Sequence, residues 1–259
     1  MKVLIANRIL IYQVLGELFK SMSIKPRLME LGVLDGTNAK TMADILMPQE
    51  LFLVDSWSPE AFSDYIKNNS HRSWVDDLNK YADYFGGPLS EQVTFDRLYQ
   101  KVVDKFSGQN NVKIIRAGSQ KAVPVLRDEL RGKPKFDLIY VDASHQYETV
   151  LDDLIDYQEF LTPDGFFQLN DCCHSAEGMK QNLGVLEAAV KFCKVANFIP
   201  VLVTNTDWTD VLLVKRNSAT IDVIDLIIRN NEISFVEVPD QLLGALQIKQ
   251  GKRRNISFC

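Results

Sequence analysis

Five short runs hold the residues whose types and spacing could do chemistry. In Glu30-Leu-Gly32-Val-Leu-Asp-Gly36-Thr-Asn38 an acid stands just ahead of two spaced glycines. Such glycines let a loop turn tightly and let backbone approach a ligand closely. A dinucleotide fingerprint reads G-x-G-x-x-G and seats a pyrophosphate on a helix N-terminus. Here the pattern is E-x-G-x-x-x-G. An acid before the first glycine repels phosphate and suits a ligand carrying positive sulfonium and ammonium groups. Asp55, followed by Ser56 and Trp57, suits a pair of ribose hydroxyls, because one carboxylate accepts both hydrogen bonds. The other runs are Ala117-Gly118-Ser119-Gln120, Asp142-Ala-Ser-His145 and Asn170-Asp171-Cys-Cys-His174.

Each run follows a short apolar stretch that reads as a strand: 27–31, 51–55, 112–116, 136–142 and 166–170. Helical patterns lie between them at 38–47, about 121–130, 147–161 and 178–194, with a turn at 162–165. Strands alternating with helices imply βαβ units and a parallel sheet. Two more strands, 198–203 and 211–215, joined by a short polar connection, predict an antiparallel hairpin that makes the sheet mixed at one edge. The expected fold is a doubly wound, Rossmann-like α/β domain with a seven-stranded mixed sheet and helices on both faces. Ligands in such sheets bind beyond the carboxyl ends of the strands, where all five polar runs fall.

Outside this frame, residues 1–26 are expected as an amphipathic helix, from Ile9, Tyr12, Leu15, Leu18 and Phe19 at helical spacing. The ligand-binding domain spans 27–216, and 217–259 form a C-terminal extension with a helix at 221–229 and a short strand at 233–238. Residues 57–110 are far more than one crossover needs and are rich in aromatics, among them Trp57, Phe62, Tyr65, Trp74, Tyr84, Phe85 and Phe95. Long insertions are usually functional or disordered, and the aromatic content argues against disorder. A lid over a substrate is the expectation. A dimer interface or simple packing is the alternative, which leaves a homo-oligomer open.

The chain has 259 residues, 46 % hydrophobic and 24 % charged, with a net charge of −5. No basic stripe stands out beyond Lys252, Arg253 and Arg254, so nucleic acid is not an expected partner. Asn7, Arg8, Gln13, Glu17 and Lys20 interrupt the N-terminal apolar run, so neither a signal peptide nor a membrane span is expected. Adjacent Cys172 and Cys173, with Cys193 and Cys259, suit reduced thiols in the cytoplasm.

Glu30, Gly32, Gly36, Asp55 and the run 117–120 resemble the class I S-adenosylmethionine-dependent methyltransferases. Tyr140-Val-Asp142-Ala-Ser-His145-Gln-Tyr147-Glu148, followed by Asp152-Asp153, is similar to a branch with cephalosporin-pathway and macrolide-sugar O-methyltransferases. The order of segments is also similar to catechol O-methyltransferases. The resemblance covers about 27–216. It implies S-adenosylmethionine as cofactor and a hydroxyl of a small molecule as acceptor, an amine acceptor staying open. It implies that Glu30, Gly32 and Gly36 line the methionine part, Asp55 holds the ribose, Trp57 covers the adenine, and Gly118, Ser119 and Gln120 sit near the adenine ring. Asp142, also on the cofactor side, and Asp171 match positions that hold a divalent metal such as Mg2+ in metal-dependent members. His145 stands where a base is placed, with His174 as the rival base and His71 a surface residue. One departure is that the catechol-type Asp-Asn pair is here Asp171-Cys172. Magnesium prefers oxygen ligands, which two carboxylates, Asn170 and water would supply. Methyl transfer needs no covalent enzyme intermediate, so Cys172 and Cys173 read as packing thiols. Two other classes fit less well: a nicotinamide-dependent oxidoreductase, lacking its glycine fingerprint and a Tyr-x-x-x-Lys pair, and a methyltransferase-like scaffold without turnover.

Overall fold

The computed structural model describes residues 1–70, 72–206, 208–250 and 254–259. His71, Lys252 and Arg253 therefore lie outside the described residues. The chain opens with a strand, β1 (Lys2–Leu4), and a helix, α1 (Arg8–Ser21). It continues through β2 (Arg27–Leu31), α2 (Thr37–Leu46) and β3 (Glu50–Asp55). The insertion contributes α3 (Glu60–Asn69), α4 (Ala82–Phe85) and α5 (Gln92–Lys105). Then follow β4 (Val112–Arg116), α6 (Ser119–Glu129), β5 (Phe136–Val141), α7 (Tyr147–Tyr157) and β6 (Leu161–Leu169). After α8 (Ala176–Lys180) and α9 (Val185–Val195) come β7 (Phe198–Thr204), β8 (Val211–Lys215), α10 (Thr220–Asn230) and β9 (Phe235–Glu237). A separate hairpin, β10 (Gln247–Gln250) with β11 (Arg254–Ser257), ends the chain.

The main sheet runs β4-β3-β2-β5-β6-β8-β7-β1-β9. Its first five strands are parallel, and only β8 and β9 run against the rest. All five residues of β2 are buried, as expected of a parallel strand covered on both faces. Alternate side chains feed two cores. Met29, Phe52 and Ile139 face one, and Leu28, Leu53 and Tyr140 face the other, where α1 lays Ile11, Tyr12, Leu15 and Leu18.

The sheet therefore has nine strands rather than seven, and the β7–β8 hairpin is not its edge. The N-terminal segment is not helical throughout. Asn7 accepts a hydrogen bond from the Ile9 amide at 3.0 Å and so caps α1. Lys2–Leu4 pairs with the open side of β7, which buries Val3 and Leu4, and β9 then pairs with β1. A three-residue strand has no periodicity to reveal it; it exists because β7 offers an unpaired edge. The expected turn at 162–165 lies inside β6, as an irregularity where the register to β5 shifts between Phe136 and Leu138. The helix expected over 178–194 is broken between α8 and α9. Asn182 has φ +51° there, and Gly184 passes so close to Tyr147 that a Cβ would lie 2.7 Å from its backbone nitrogen. No helix among the described residues is long and apolar enough to cross a membrane.

Candidate active site

From β2 the chain proceeds to β3 and β4 on one side and later to β5 and β6 on the other. The strand order reverses between β2 and β5, and a doubly wound sheet has its ligand crevice at such a point, beyond the carboxyl ends of the strands. The glycine loop lies at this point. The Asp142 amide donates to the Leu31 carbonyl at 2.7 Å, which draws the ends of β2 and β5 together. Gly32 has φ +81°, and a Cβ on it would lie 2.1 Å from the Asp142 carbonyl oxygen. Gly36, at φ +76°, caps α2.

Asp55 and Trp57 hold this loop from inside. Asp55 Oδ2 accepts from the amides of Val33 (2.8 Å) and Leu34 (3.0 Å), and Oδ1 accepts from the Trp57 amide at 2.9 Å. Burial pushes the Asp55 pKa up, and these three backbone bonds oppose it. The Trp57 indole donates to the Leu34 carbonyl at 2.8 Å and packs edge-on against Tyr99. Trp57 is only 1 % exposed. The expectation that it covers an adenine is corrected: its ring belongs to the core beneath the loop. Asp55 spends three of roughly four lone-pair sites on backbone, so little of its carboxylate is left for a ribose.

Glu30, near the carboxyl end of β2, is 1 % exposed. Its Oε1 accepts from Asn38 Nδ2 at 2.9 Å, and Asn38 Oδ1 in turn accepts from the Tyr12 hydroxyl at 2.8 Å. Its Oε2 is buried with no hydrogen-bond partner. Burial pushes the Glu30 carboxyl up to about 8. A buried acceptor with no donor is costly unless something supplies one. A cationic ligand with N–H donors, such as S-adenosylmethionine with its ammonium group, would satisfy this oxygen.

Beyond β4, Gly118 opens α6 with nothing within 4 Å of where a Cβ would stand. The Ser119 carbonyl accepts from the Tyr157 hydroxyl at 2.7 Å. Gln120 is exposed and donates to Asp153 at 2.9 Å. Asp153 is fully buried with its other oxygen unpartnered, and burial pushes it up to about 6. The sequence marked this residue only as part of a family run, since an acid on a helix reads as solvated until the partner helix is known.

The ends of β5 and β6 bring Asp142, His145 and Asp171 together. His145 Nε2 lies 3.2 Å from Asp142 Oδ1 and 3.3 Å from Asp171 Oδ2. Burial alone would lower the imidazole pKa, but the Asp142 hydrogen bond and the charges of Asp171 and Asp142 carry it up to about 9. Asp171 stands at φ +56°. Burial raises its pKa, repulsion from Asp142 adds to that, and His145, Arg8 and Asn170 oppose it. Asn170 donates from Nδ2 to Asp142 at 3.1 Å and to Asp171 at 2.8 Å. Its Oδ1 accepts from Arg8 Nη2 at 2.6 Å. Arg8 also lies 3.4 Å from Asp210, which is buried, bonded to Tyr140 and Gln168, and raised to about 7 by burial.

This arrangement bears on two expectations. The two carboxylates at 3.2 and 3.3 Å favour the protonated imidazole, which weighs against His145 as the proton acceptor and makes the carboxylates the rival acceptors. The donor set does not fit Mg2+. A guanidinium can only donate, so the Asn170 oxygen must face Arg8 and its N–H groups must face the carboxylates. The position where a metal would bridge Asp142 and Asp171 is lined by hydrogen-bond donors. No group of three His, Cys, Asp or Glu suited to a metal occurs among the described residues. His174 is placed elsewhere: its amide and carbonyl bond Leu246 and Ile248, and its ring lies 3.7 Å from Glu187. Cys172 and Cys173 are buried free thiols, raised by burial.

The insertion packs Phe95, Leu98 and Val102 of α5, and Phe106 just after it, on the α1 side of the sheet, with Phe62 against Phe85 and Phe95. Its α3 reaches the rim. Tyr65 donates to the Gln181 carbonyl at 2.6 Å, and Asn69, Gln146 and Asn182 hydrogen-bond one another at 3.0–3.3 Å.

The family described as a methyltransferase domain matches residues 29–172. No curated protein matches the chain in sequence. Among solved structures, the O-methyltransferase TomG from Streptomyces achromogenes, involved in tomaymycin synthesis and bound to SAM, is 12 % identical, with 82 % of each chain covered and a TM-score of 0.51. Cofactor-bound Rv0187 from MTB is likewise 12 % identical over 82 % of each chain, at a TM-score of 0.50. Spermidine synthase with the transition-state analogue AdoDATO is 10 % identical, over 92 % of this chain and 70 % of that one, also at 0.50. At such identities the likeness is one of fold.

Proposed function

The chain belongs to the methyltransferase-domain family and is an S-adenosylmethionine-dependent methyltransferase; from that premise we propose that it methylates a hydroxyl of a small molecule, without a metal, at the rim formed by Asp142, His145 and Asp171. S-adenosylmethionine supplies the electrophilic methyl group when bound. Glu30 binds its ammonium group through the unpartnered Oε2, and the Gly32 turn lets the backbone approach it. Gly118, Ser119 and Gln120 border the adenine end. The acceptor hydroxyl must lose a proton as its oxygen takes the methyl. The cluster of two carboxylates and one imidazolium carries a net negative charge and accepts that proton as a unit. Asp171 holds it, because burial has moved its pKa towards neutrality, and Asn170 and His145 keep it oriented. The observation that carries this reading is His145 between the two carboxylates, together with the unpartnered Oε2 of Glu30. The four free thiols support a reducing, cytoplasmic compartment.

Cofactor binding tests the Glu30 assignment. Its carboxyl, raised to about 8, is protonated in the free protein at neutral pH but must ionise to pair with an ammonium. Binding therefore releases a proton. Affinity for S-adenosylhomocysteine should rise with pH, by up to about tenfold per unit, and level off near pH 8. Calorimetry in buffers of different ionisation enthalpy reads the released proton directly. Glu30→Gln should flatten the dependence and weaken binding at pH 8 by roughly 1.5–3 kcal/mol. A flat profile in the wild type sinks the assignment.

The insertion supports a lid role through its amide contacts with Gln146 and Asn182. Limited proteolysis should cut within 57–110 first in the free protein, and S-adenosylhomocysteine should slow that cutting. Equal cleavage with and without ligand counts against a lid.

A further inference from the structure

We infer that Arg8, at the start of α1 and outside the matched family region, is a positioning residue of the acceptor rim, where its fixed charge takes the place of a metal ion. The inference rests on the rim reading given above. Arg8 reaches the rim from the N-terminal segment, which β1 and the Asn7 cap lock against the sheet. Its guanidinium lies over the Tyr140 ring at 5.5 Å, donates to Asn170 Oδ1 at 2.6 Å and pairs with Asp210 at 3.4 Å. Its side chain is 28 % exposed and bonds Asn170, so it belongs to the rim and not to the core.

The consequence lies in how Asn170 is turned. An amide side chain can present either its oxygen or its nitrogen to a pair of carboxylates. Oxygen inwards, Asn170 with Asp142 and Asp171 would make a three-oxygen set of the kind divalent cations prefer. Nitrogen inwards, it donates to both carboxylates and excludes a cation. Arg8 has only donors, so it pulls the Asn170 oxygen to itself and imposes the second orientation. The guanidinium also stays charged at every accessible pH, which offsets the repulsion among Asp142, Asp171 and Asp210.

The test is Mn2+ binding, followed by electron paramagnetic resonance on the full chain, beside calorimetry with S-adenosylhomocysteine. The wild type should show no stoichiometric Mn2+ site that depends on Asp171. Arg8→Met should bind Mn2+ at least about tenfold more tightly, since a unit charge leaves the carboxylates and Asn170 becomes free to turn. Its S-adenosylhomocysteine affinity should stay within about threefold of wild type. Arg8→Lys, which keeps the charge, should exclude Mn2+ as the wild type does, a rescue that a merely structural role would not produce. Arg8→Gln carries the same expectation as Arg8→Met should the latter fail to fold. A wild-type Mn2+ site abolished by Asp171→Asn overturns the inference, as does Mn2+ affinity unchanged in both neutral variants. Failure of the wild type to bind S-adenosylhomocysteine would instead sink the methyltransferase reading of the crevice and leave the Mn2+ result readable.

Discussion

Turnover of Asp171→Asn should fall by about 10²–10⁴-fold, with S-adenosylhomocysteine affinity close to wild type. The substitution is nearly isosteric and keeps a polar partner for Asn170, so the loop after β6 should hold its shape. What it removes is the only function an amide cannot replace, which is taking a proton. Asp171 is suited to that task because burial and the nearby Asp142 raise its pKa, while the 3.3 Å contact with His145 stops it from becoming a permanently neutral acid. His145→Gln should act differently. It removes the cation between two carboxylates, so like charges then push one of them further towards its protonated form. The pH optimum should move upwards rather than activity simply vanish. Transfer of radiolabelled methyl from S-adenosylmethionine to a panel of phenolic and sugar hydroxyls measures both variants. An Asp171→Asn protein with wild-type turnover would remove Asp171 from the mechanism.

Gly32→Ala should destabilise the fold by roughly 2–4 kcal/mol and abolish cofactor binding. Two costs add. The backbone there is left-handed, which a side chain disfavours, and the new Cβ would stand 2.1 Å from the Asp142 oxygen, 2.3 Å from its carbonyl carbon and 2.5 Å from Ala143 Cα. These are all backbone atoms, so no rotamer change relieves the overlap. Relief requires the ends of β2 and β5 to part, which breaks the Asp142–Leu31 hydrogen bond and displaces both Glu30 and the acceptor rim. Gly118→Ala is the internal control. Its φ is −61° and nothing lies within 4 Å of the new atom, so stability should change by less than about 0.5 kcal/mol. Denaturant unfolding and calorimetry on the two variants give the comparison. Equal stability of Gly32→Ala and wild type would mean that the loop is not packed as described.

The central parallel strands β2, β3 and β5 were legible in the sequence because they are largely buried and read as short, mostly apolar runs. The polar residues at their ends were legible for the complementary reason, since a strand end in this fold is where the chain leaves the core. Hence Glu30, Gly32, Asp142 and Asp171 could be singled out before any contact was known. Local pattern failed where an element depends on a distant partner. β1 is three residues long and exists only because β7 presents an open edge, whereas β9 falls inside the strand expected at 233–238 and owes only its pairing to β1. Trp57 looked like a surface for an aromatic ligand, and its burial against Tyr99 depends on α5, far along the chain. Arg8 read as a break in an apolar run, yet it reaches Asn170 across 162 positions of sequence. The role of His145 followed the same logic. Its residue type supplies a pKa near neutrality, but the charge it carries is set by two carboxylates, Asp142 three residues before it and Asp171 on the following strand end. Composition and periodicity determine which groups reach the rim. Only tertiary packing decides which atoms of those groups face each other, because hydrogen bonds and burial act through space at about 3 Å and leave no periodic trace in the sequence.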